Sequence, residues 1–279
     1  MSAAGLFRIT RPTNAIVAGL AAVLGYLIAT GTVTPIALLL IGVVACVTAA
    51  GNVLNDVYDI EIDRINRPDR PLLSGQVSLR SARLSAALLF LAGILLCTAI
   101  NLPALAIAVI NSTMLAAYAI NLKKKPLLGN IAIAYLTASI FLFGGAAAGP
   151  EGLLQNLPLA GITFLATLSR ELLKDAEDVD GDLAGGAHTV PMIIGVRGTA
   201  HAAFACACGA VVVSYLPIGD WWGGFYLIGI GLVDLLILAG AWKAVYCTTP
   251  ACVKRSRGTT LLKTGMFAAL LVFAVAAVI

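Results

Sequence analysis

The chain contains 279 residues, of which 60% are hydrophobic and only 11% are charged, and its mean hydropathy is +0.97. A soluble domain typically carries about twice that share of charged residues, so the composition excludes a soluble globular protein and indicates that a lipid bilayer solvates most of the apolar surface. The net charge of +4 does not by itself indicate a nucleic-acid-binding protein, because the basic residues follow a topological pattern along the chain.

The apolar segments predict membrane-spanning helices from the N-terminus onward. The first residues, MSAAGLFRITRPTN, lack the order of charged, apolar and small residues that marks a secretory signal, so we expect the first span to remain in the protein. Apolar runs of about 20 residues follow, separated by Gly, Pro, Asn or charged residues. The sequence therefore predicts an all-α membrane protein with a single domain over residues 1–279, built from about nine helices near residues 12–30, 34–58, 80–100, 103–121, 127–148, 155–178, 196–216, 221–246 and 259–279.

The basic residues agree with nine spans. Alternate connections then lie on the same side of the membrane, and all 18 Lys and Arg residues fall on one side. The opposite connections, near Gly31, Asn101, GPEG and PIGDWW, contain none. Because Lys and Arg are enriched on the cytoplasmic side, the pattern predicts a multi-pass protein of the cell membrane with a cytoplasmic N-terminus.

Several conspicuous residues are interpreted structurally. The six cysteines occur at unrelated spacings and mainly in apolar segments, so we interpret them as small core residues rather than as a disulfide framework or zinc site. Asp234 lies alone within the eighth predicted span, which favours a hydrogen bond between helices. Trp221 and Trp222 are interpreted as part of an aromatic belt at the outer membrane surface.

A first acidic block interrupts the apolar sequence after the second predicted span, with five carboxylates within residues 56–69. In NDVYDIEID, the residues Asn55, Asp59 and Asp63 recur every four positions. On a continuing helix this spacing places them along one stripe, with a drift of about 40° at each step. We call these three residues the first acidic motif, whereas Asp56 and Glu61 point away from the stripe.

A second acidic block ends the sixth predicted span, with six carboxylates within residues 171–182. In SRELLKDAEDVDGD, the spacing of four joins Arg170, Lys174, Asp178 and Asp182, and Asp175 borders the same face. We call Asp175, Asp178 and Asp182 the second acidic motif. Two cations thus lie one and two helical turns deeper in the span than Asp178.

The ligand chemistry of the two motifs favours a divalent cation. Like charges at helical spacing repel one another, and at a membrane boundary water screens them less. One interpretation is a solvated helix end whose acids pair with local cations. Oxygen ligands without His or Cys instead suit Mg²⁺, which typically binds one or two carboxylates, some waters and a substrate phosphate. Two such blocks in so uncharged a chain favour Mg²⁺ and a diphosphate, with nearby Arg and Lys neutralising the remaining charge.

These sequences resemble the UbiA-type intramembrane prenyltransferases. NDVYDIEID matches their N-x-x-x-D-x-x-x-D signature, DVDGD matches their D-x-x-x-D signature, and the similarity extends from RPTN near residue 11 to the last helix. Within the family, INRPDRPLLSGQVS and SRELLKDAEDVDGDLAGGAHTVP are most similar to the archaeal digeranylgeranylglyceryl phosphate synthases. The resemblance implies Mg²⁺-dependent transfer of a geranylgeranyl group from geranylgeranyl diphosphate to geranylgeranylglyceryl phosphate, which forms the second ether bond of archaeal lipids. It implies metal binding by Asn55, Asp59, Asp178 and Asp182, with Asp59 and Asp178 as catalytic residues. Asp63, at the last position of the first signature, is a candidate for binding metal or a basic partner, and Asp175, just outside the second signature, is a further candidate metal ligand.

The resemblance also suggests where the two substrates bind, in a cavity open to the cytoplasmic leaflet. Arg67, Lys123 and Lys174 are the candidates for the diphosphate, although a positive-inside anchor explains Lys123 equally well. Arg11 and Asn14, at the start of the first span, are the candidates for the acceptor, and a topological signal also explains Arg11.

Two alternatives stay open from the sequence alone. An aromatic-acceptor prenyltransferase of quinone biosynthesis would have the same metal and diphosphate sites. A cation transporter would place its acidic residues near the bilayer midplane, often within inverted repeats, which the sequence does not favour. The proton acceptor for the acceptor hydroxyl is Asp56 or Asp63, or none is needed. We expect a prenyl diphosphate, a lipid-like acceptor and the membrane as partners, with no nucleic acid and no obligatory protein partner.

Overall fold

The computed structural model describes residues 2–216 and 223–279, which form helices and the turns between them. A single 3₁₀ turn, Leu122–Lys124, lies among the described α-helices. In chain order these are α1 Ala3–Ile9, α2 Pro12–Thr30, α3 Ile36–Tyr58, α4 Ile60–Asn66, α5 Leu79–Cys97, α6 Leu102–Ile120, α7 Leu128–Ala148, α8 Pro150–Gln155, α9 Leu157–Glu177, α10 Val179–Ala184, α11 Pro191–Ser214, α12 Gly224–Trp242, α13 Pro250–Ser256 and α14 Gly258–Ala276.

The predicted all-α membrane architecture is confirmed. Within the described ranges, nine helical segments are long and apolar enough to cross a membrane, and the sixth is the combined segment Pro150–Glu177. Most predicted boundaries lie within a few residues of the observed ones, although the sixth and seventh spans begin about five residues earlier than predicted. The predicted start of the eighth span, and with it Trp221 and Trp222, lies outside the described residues.

The first of two compact units comprises Met1–Asn121 and Ser139–Asn156. In this unit α3 packs against α2, α5 and α6. Asn101 caps the start of α6: its side-chain oxygen accepts a hydrogen bond from the Ala104 amide at 2.9 Å, and its Nδ2 donates to the Ala146 carbonyl at 2.8 Å. One asparagine thus caps a helix and fixes a neighbouring helix end, which satisfies backbone groups that lipid cannot.

The second unit comprises Leu122–Ala138 and Leu157–Ile279. Here α9 packs against α11, α12, α13 and α14, and α12 packs against α14. The α12–α14 contact depends on small residues, because a Cβ atom added to Gly258 would lie 2.6 Å from the Gly240 carbonyl oxygen. Close backbone approach at glycine is a common way to pack helices in a membrane, where the hydrophobic effect contributes little to their association.

Many large apolar side chains of the candidate spans lie on the outer surface of the protein. Leu38 and Leu102 each have a relative exposure of 76%, and Ile228 has 71%. A water-soluble protein rarely exposes so many large apolar residues, whereas a helix facing lipid does so at no cost. The exposure pattern therefore agrees with the composition.

The interpretation of all six cysteines as unpaired core residues is wrong. Cys247 and Cys252 form a disulfide whose Cα atoms lie 5.4 Å apart. Thr249 caps α13 between them, accepting a hydrogen bond from the Cys252 amide, and this turn brings the two thiols together. The remaining four cysteines are free.

Asp234 forms the predicted hydrogen bond between helices. Its Oδ2 accepts a hydrogen bond from the Ser214 hydroxyl at 2.8 Å, and this bond joins α12 to the end of α11. Asp234 is 5% exposed, so a partner for its polar oxygens is needed inside the apolar segment.

Candidate functional site

The first acidic motif lies at a break between two helices. Asn55 belongs to the last turn of α3, Asp59 is the single residue between α3 and α4, and Asp63 lies in α4. Asp59 has φ −97° and ψ 8°, which departs from helical geometry. Even so, the Asp59 amide donates to the Asn55 carbonyl at 2.9 Å, and the Asp63 amide donates to the Asp59 carbonyl at 2.7 Å. The hydrogen bonds therefore keep the predicted spacing of four residues, but the helix is not continuous as predicted, because it is interrupted at Asp59.

The second acidic motif has the same local construction. Asp178 is the single residue between α9 and α10, with φ −108° and ψ 15°. Its amide donates to the Lys174 carbonyl at 3.1 Å, and the Asp182 amide donates to the Asp178 carbonyl at 2.9 Å. Aspartate disfavours helix interiors because its side chain competes for backbone hydrogen bonds, so both breaks occur at a residue suited to them.

The Asp63 carboxylate is buried and paired. Asp63 is 6% exposed, and its Oδ2 contacts Nη1 of Arg70. The same Arg70 nitrogen lies 2.7 Å from Oδ1 of Asp56, which is 4% exposed and also contacts Nη2 of Arg11. The sequence placed Asp56 off the stripe of the first motif and gave Arg70 no individual role. Helical spacing cannot reveal contacts between different segments.

The Asp175 carboxylate has a partner 45 positions away in the sequence, which helical spacing does not indicate. Asn130, near the start of α7, is 7% exposed and donates a hydrogen bond from Nδ2 to Oδ2 of Asp175 at 2.9 Å. One turn before Asp175 on α9, Glu171 accepts a hydrogen bond from Nη1 of Arg170 at 2.6 Å and pairs with Lys174 Nζ at 3.6 Å. The two cations that were expected to compensate the second motif thus share Glu171.

Burial makes two of the predicted metal ligands costly to ionise. It raises the pKa of Asp63, although the positive charge of Arg70 partly opposes this effect. Burial also raises the pKa of Asp182, and the negative charge of Asp178 raises it further. A divalent cation beside either carboxylate would stabilise its charged form.

The other predicted site residues lie near helix ends. Arg67 directly follows α4 and is exposed, and its amide donates a hydrogen bond to the Asp63 carbonyl at 2.7 Å. Lys123 is half-buried in the 3₁₀ turn, Lys174 is exposed, and Asn14 is exposed in the first turn of α2. Their predicted roles in binding diphosphate and acceptor stay predictions.

The oxygen donors fit a magnesium ion whose ligands would come partly from the protein and partly from a substrate. Among the described residues, no three His, Cys, Asp or Glu side chains converge closely enough to hold a metal ion by themselves. Oxygen donors are nevertheless concentrated in both motifs, and Mg²⁺ usually retains waters and binds substrate phosphates. Each motif could therefore hold Mg²⁺ together with phosphate oxygens, but not as a complete protein cage.

The fold and the two motifs place the chain in a known class of membrane enzymes. The family model of the UbiA prenyltransferase family matches residues 16–271. The chain therefore belongs to this family, as its sequence motifs predicted, and this membership argues against a cation transporter.

Similar relatives and solved structures cover nearly the whole chain. The chain is 64% identical to the digeranylgeranylglyceryl phosphate synthase of Methanoculleus marisnigri, over 100% of both chains. A solved structure of a digeranylgeranylglyceryl phosphate synthase is 37% identical, with a TM-score of 0.85 and 98% of each chain covered. A UbiA homolog from Archaeoglobus fulgidus, solved with bound GPP and Mg²⁺, is 17% identical with a TM-score of 0.65, and it covers 95% of this chain and 99% of its own. This last likeness shows a shared fold.

Proposed function

We propose that the protein transfers a geranylgeranyl group from geranylgeranyl diphosphate to geranylgeranylglyceryl phosphate, which forms an ether bond and releases diphosphate. The observation that carries this proposal is the identity of 64% to a digeranylgeranylglyceryl phosphate synthase over the full length of both chains. The matched family region includes residues of both compact units, which supports the proposal that the chain acts as a single functional domain.

The proposed roles of the residues follow from their charges. Each acidic motif would hold magnesium together with oxygens of the substrate diphosphate, and Arg67, Lys123 and Lys174 would neutralise the remaining negative charge. When bound, Mg²⁺ would offset the charge that develops on the leaving diphosphate. The apolar spans keep water from the allylic cation that forms as the carbon–oxygen bond breaks. The acceptor hydroxyl then attacks that cation and loses its proton.

An assay of the wild-type protein in lipid vesicles tests the proposed reaction. Radiolabelled geranylgeranyl diphosphate is offered with geranylgeranylglyceryl phosphate, a hydroxybenzoate or a naphthoate, with and without Mg²⁺. We expect Mg²⁺-dependent labelling of the glyceryl phosphate alone, and no labelled product in excess EDTA. Transfer to an aromatic acceptor with none to the glyceryl phosphate would contradict the lipid assignment and favour a quinone-forming enzyme.

The orientation in the cell membrane is a second part of the proposal. All 18 Lys and Arg residues fall on one side of a nine-span topology, which supports a cytoplasmic N-terminus and a site open to the cytoplasm. Reporter tags on the two ends should therefore report opposite faces, with the N-terminal tag inside and the C-terminal tag outside. Tags that report the same face would contradict an odd number of spans.

A further inference from the structure

A chain of ion pairs in the first compact unit joins two residues with different proposed roles. Arg11 contacts Asp56, Asp56 contacts Arg70, and Arg70 contacts Asp63. Arg11 is proposed to bind the acceptor, whereas Asp63 belongs to the first acidic motif. Of the two inner members, Asp56 is so far only one candidate for the proton acceptor, and Arg70 has no role in the proposed reaction.

We propose that Asp56 is a positioning residue that fixes the position of the acceptor-binding Arg11 side chain relative to the first acidic motif. This inference rests on the proposed function, because it assigns a coupling between two of its sites. Arg11 and Arg70 both contact the same oxygen, Oδ1 of Asp56. A shift of that oxygen would therefore move both guanidinium groups, and through Arg70 it would also disturb Asp63.

Because the inner side chains are mostly buried, each of their charges depends on its partners in this chain of ion pairs. Relative exposures of the side chains are 4% for Asp56, 9% for Asp63, 15% for Arg70 and 31% for Arg11. Two cations and two anions balance one another, and loss of one inner partner leaves a buried charge without compensation. The most exposed member is Arg11, which suits a residue that also meets a substrate phosphate.

The backbone around Arg11 is held by independent contacts. Arg11 adopts φ 51° and ψ 63°, a left-handed conformation that is uncommon outside glycine and persists where the surroundings fix it. The neighbouring Thr10 carbonyl accepts a hydrogen bond from Nδ2 of Asn52 at 3.1 Å, and Ile9 packs with Val53 and Val57. The residues before Arg11 are thus fixed to α3 just ahead of Asp56, so Asp56 can orient the Arg11 side chain without having to fix its backbone.

Positioning accounts for these contacts better than proton transfer does. Oδ1 of Asp56 already accepts from two guanidinium groups, so accepting a substrate proton there would displace one of them. A proton acceptor would mainly change kcat. A positioning residue would instead change the concentrations of acceptor and Mg²⁺ that the enzyme needs.

The test compares three variants by the KM for geranylgeranylglyceryl phosphate and by the Mg²⁺ concentration that gives half-maximal activity. Asp56→Asn keeps the shape but removes the charge, and we expect it to raise both values by about tenfold, the lower end for residues that orient metal ligands. Arg11→Ala should raise chiefly the acceptor KM. Arg70→Lys, which keeps the charge but loses the planar fork, should raise chiefly the Mg²⁺ requirement.

A matched control and a conservative variant keep the test decisive. Glu61→Gln removes a carboxylate from the exposed pair of Glu61 and Arg64, which are 3.1 Å apart, and it should change neither value. Asp56→Glu restores the charge, so its acceptor KM and its Mg²⁺ requirement should lie between those of Asp56→Asn and the wild type. If Asp56→Asn does not fold, a rise of both values above the wild type in Asp56→Glu supports the proposal.

The proposal is overturned if Asp56→Asn, or Asp56→Glu where the asparagine variant does not fold, changes only one value, neither value, or kcat alone. Failure of the proposed function would appear separately, as a wild-type protein that does not prenylate the glyceryl phosphate.

Discussion

Replacement of Asp59 or of Asp182 by alanine is expected to lower prenyl transfer at saturating Mg²⁺ by a factor on the order of a thousand, because each change removes an oxygen ligand from the proposed metal–diphosphate complex. Metal ions stabilise transition-state charge by several kcal/mol, and a thousandfold change corresponds to about 4 kcal/mol. Rates measured with radiolabelled geranylgeranyl diphosphate at several Mg²⁺ concentrations test this prediction.

Each variant has a control two residues away in the chain. Glu61, in the first turn of α4, follows Asp59, and Asp180 precedes Asp182 in α10; both control residues are exposed. Glu61→Ala and Asp180→Ala remove the same charge from the same region, so we expect them to keep most of the activity. If Asp59→Ala or Asp182→Ala is as active as its control, the corresponding motif is a solvated helix end.

The membrane architecture could be predicted because it depends on local properties of the sequence. A run of about 20 apolar residues must be helical in lipid, and Gly, Pro and charged residues mark its ends. Short helices outside the candidate spans, such as α4 and α10, carry no comparable signal. The sequence therefore predicted one helix through Asp59 and another through Asp178, whereas the structure breaks both at those residues.

The composition of the candidate site could be predicted, but not its internal contacts. Spacing of four residues on one helix groups Asn55, Asp59 and Asp63 without knowledge of the fold. The contacts of Arg11 with Asp56 and of Asn130 with Asp175 each join residues 45 positions apart. Such pairs depend on how helices pack, and a single sequence contains no periodic signal for them. The Cys247–Cys252 disulfide was not predicted for a related reason. The turn that brings the two cysteines together includes the Thr249 cap of α13, which the cysteine spacing alone does not indicate.

The acceptor assignment rests on charge. A complex with geranylgeranyl diphosphate and geranylgeranylglyceryl phosphate contains two anionic groups, and magnesium can neutralise the diphosphate. The phosphate monoester needs a cation of its own. Arg11 is the proposed one, because it immediately precedes α2, its side chain is 31% exposed, and Asp56 holds it from the buried side.

Arg11→Ala is therefore expected to raise the KM for geranylgeranylglyceryl phosphate by about tenfold to a hundredfold and to leave the KM for geranylgeranyl diphosphate nearly unchanged. A charge-assisted phosphate contact contributes roughly 1.5–3 kcal/mol, which corresponds to that range. Arg8→Ala is the matched control, because Arg8 lies in the exposed part of α1 and its loss removes the same charge three residues away. Dephosphorylated acceptor should be a poor substrate for the wild type and should lose little further activity in Arg11→Ala, since the missing contact is the same in both cases. Equal increases in the two KM values, or an equal effect of Arg8→Ala, would mean that Arg11 acts through general electrostatics and does not bind the acceptor phosphate.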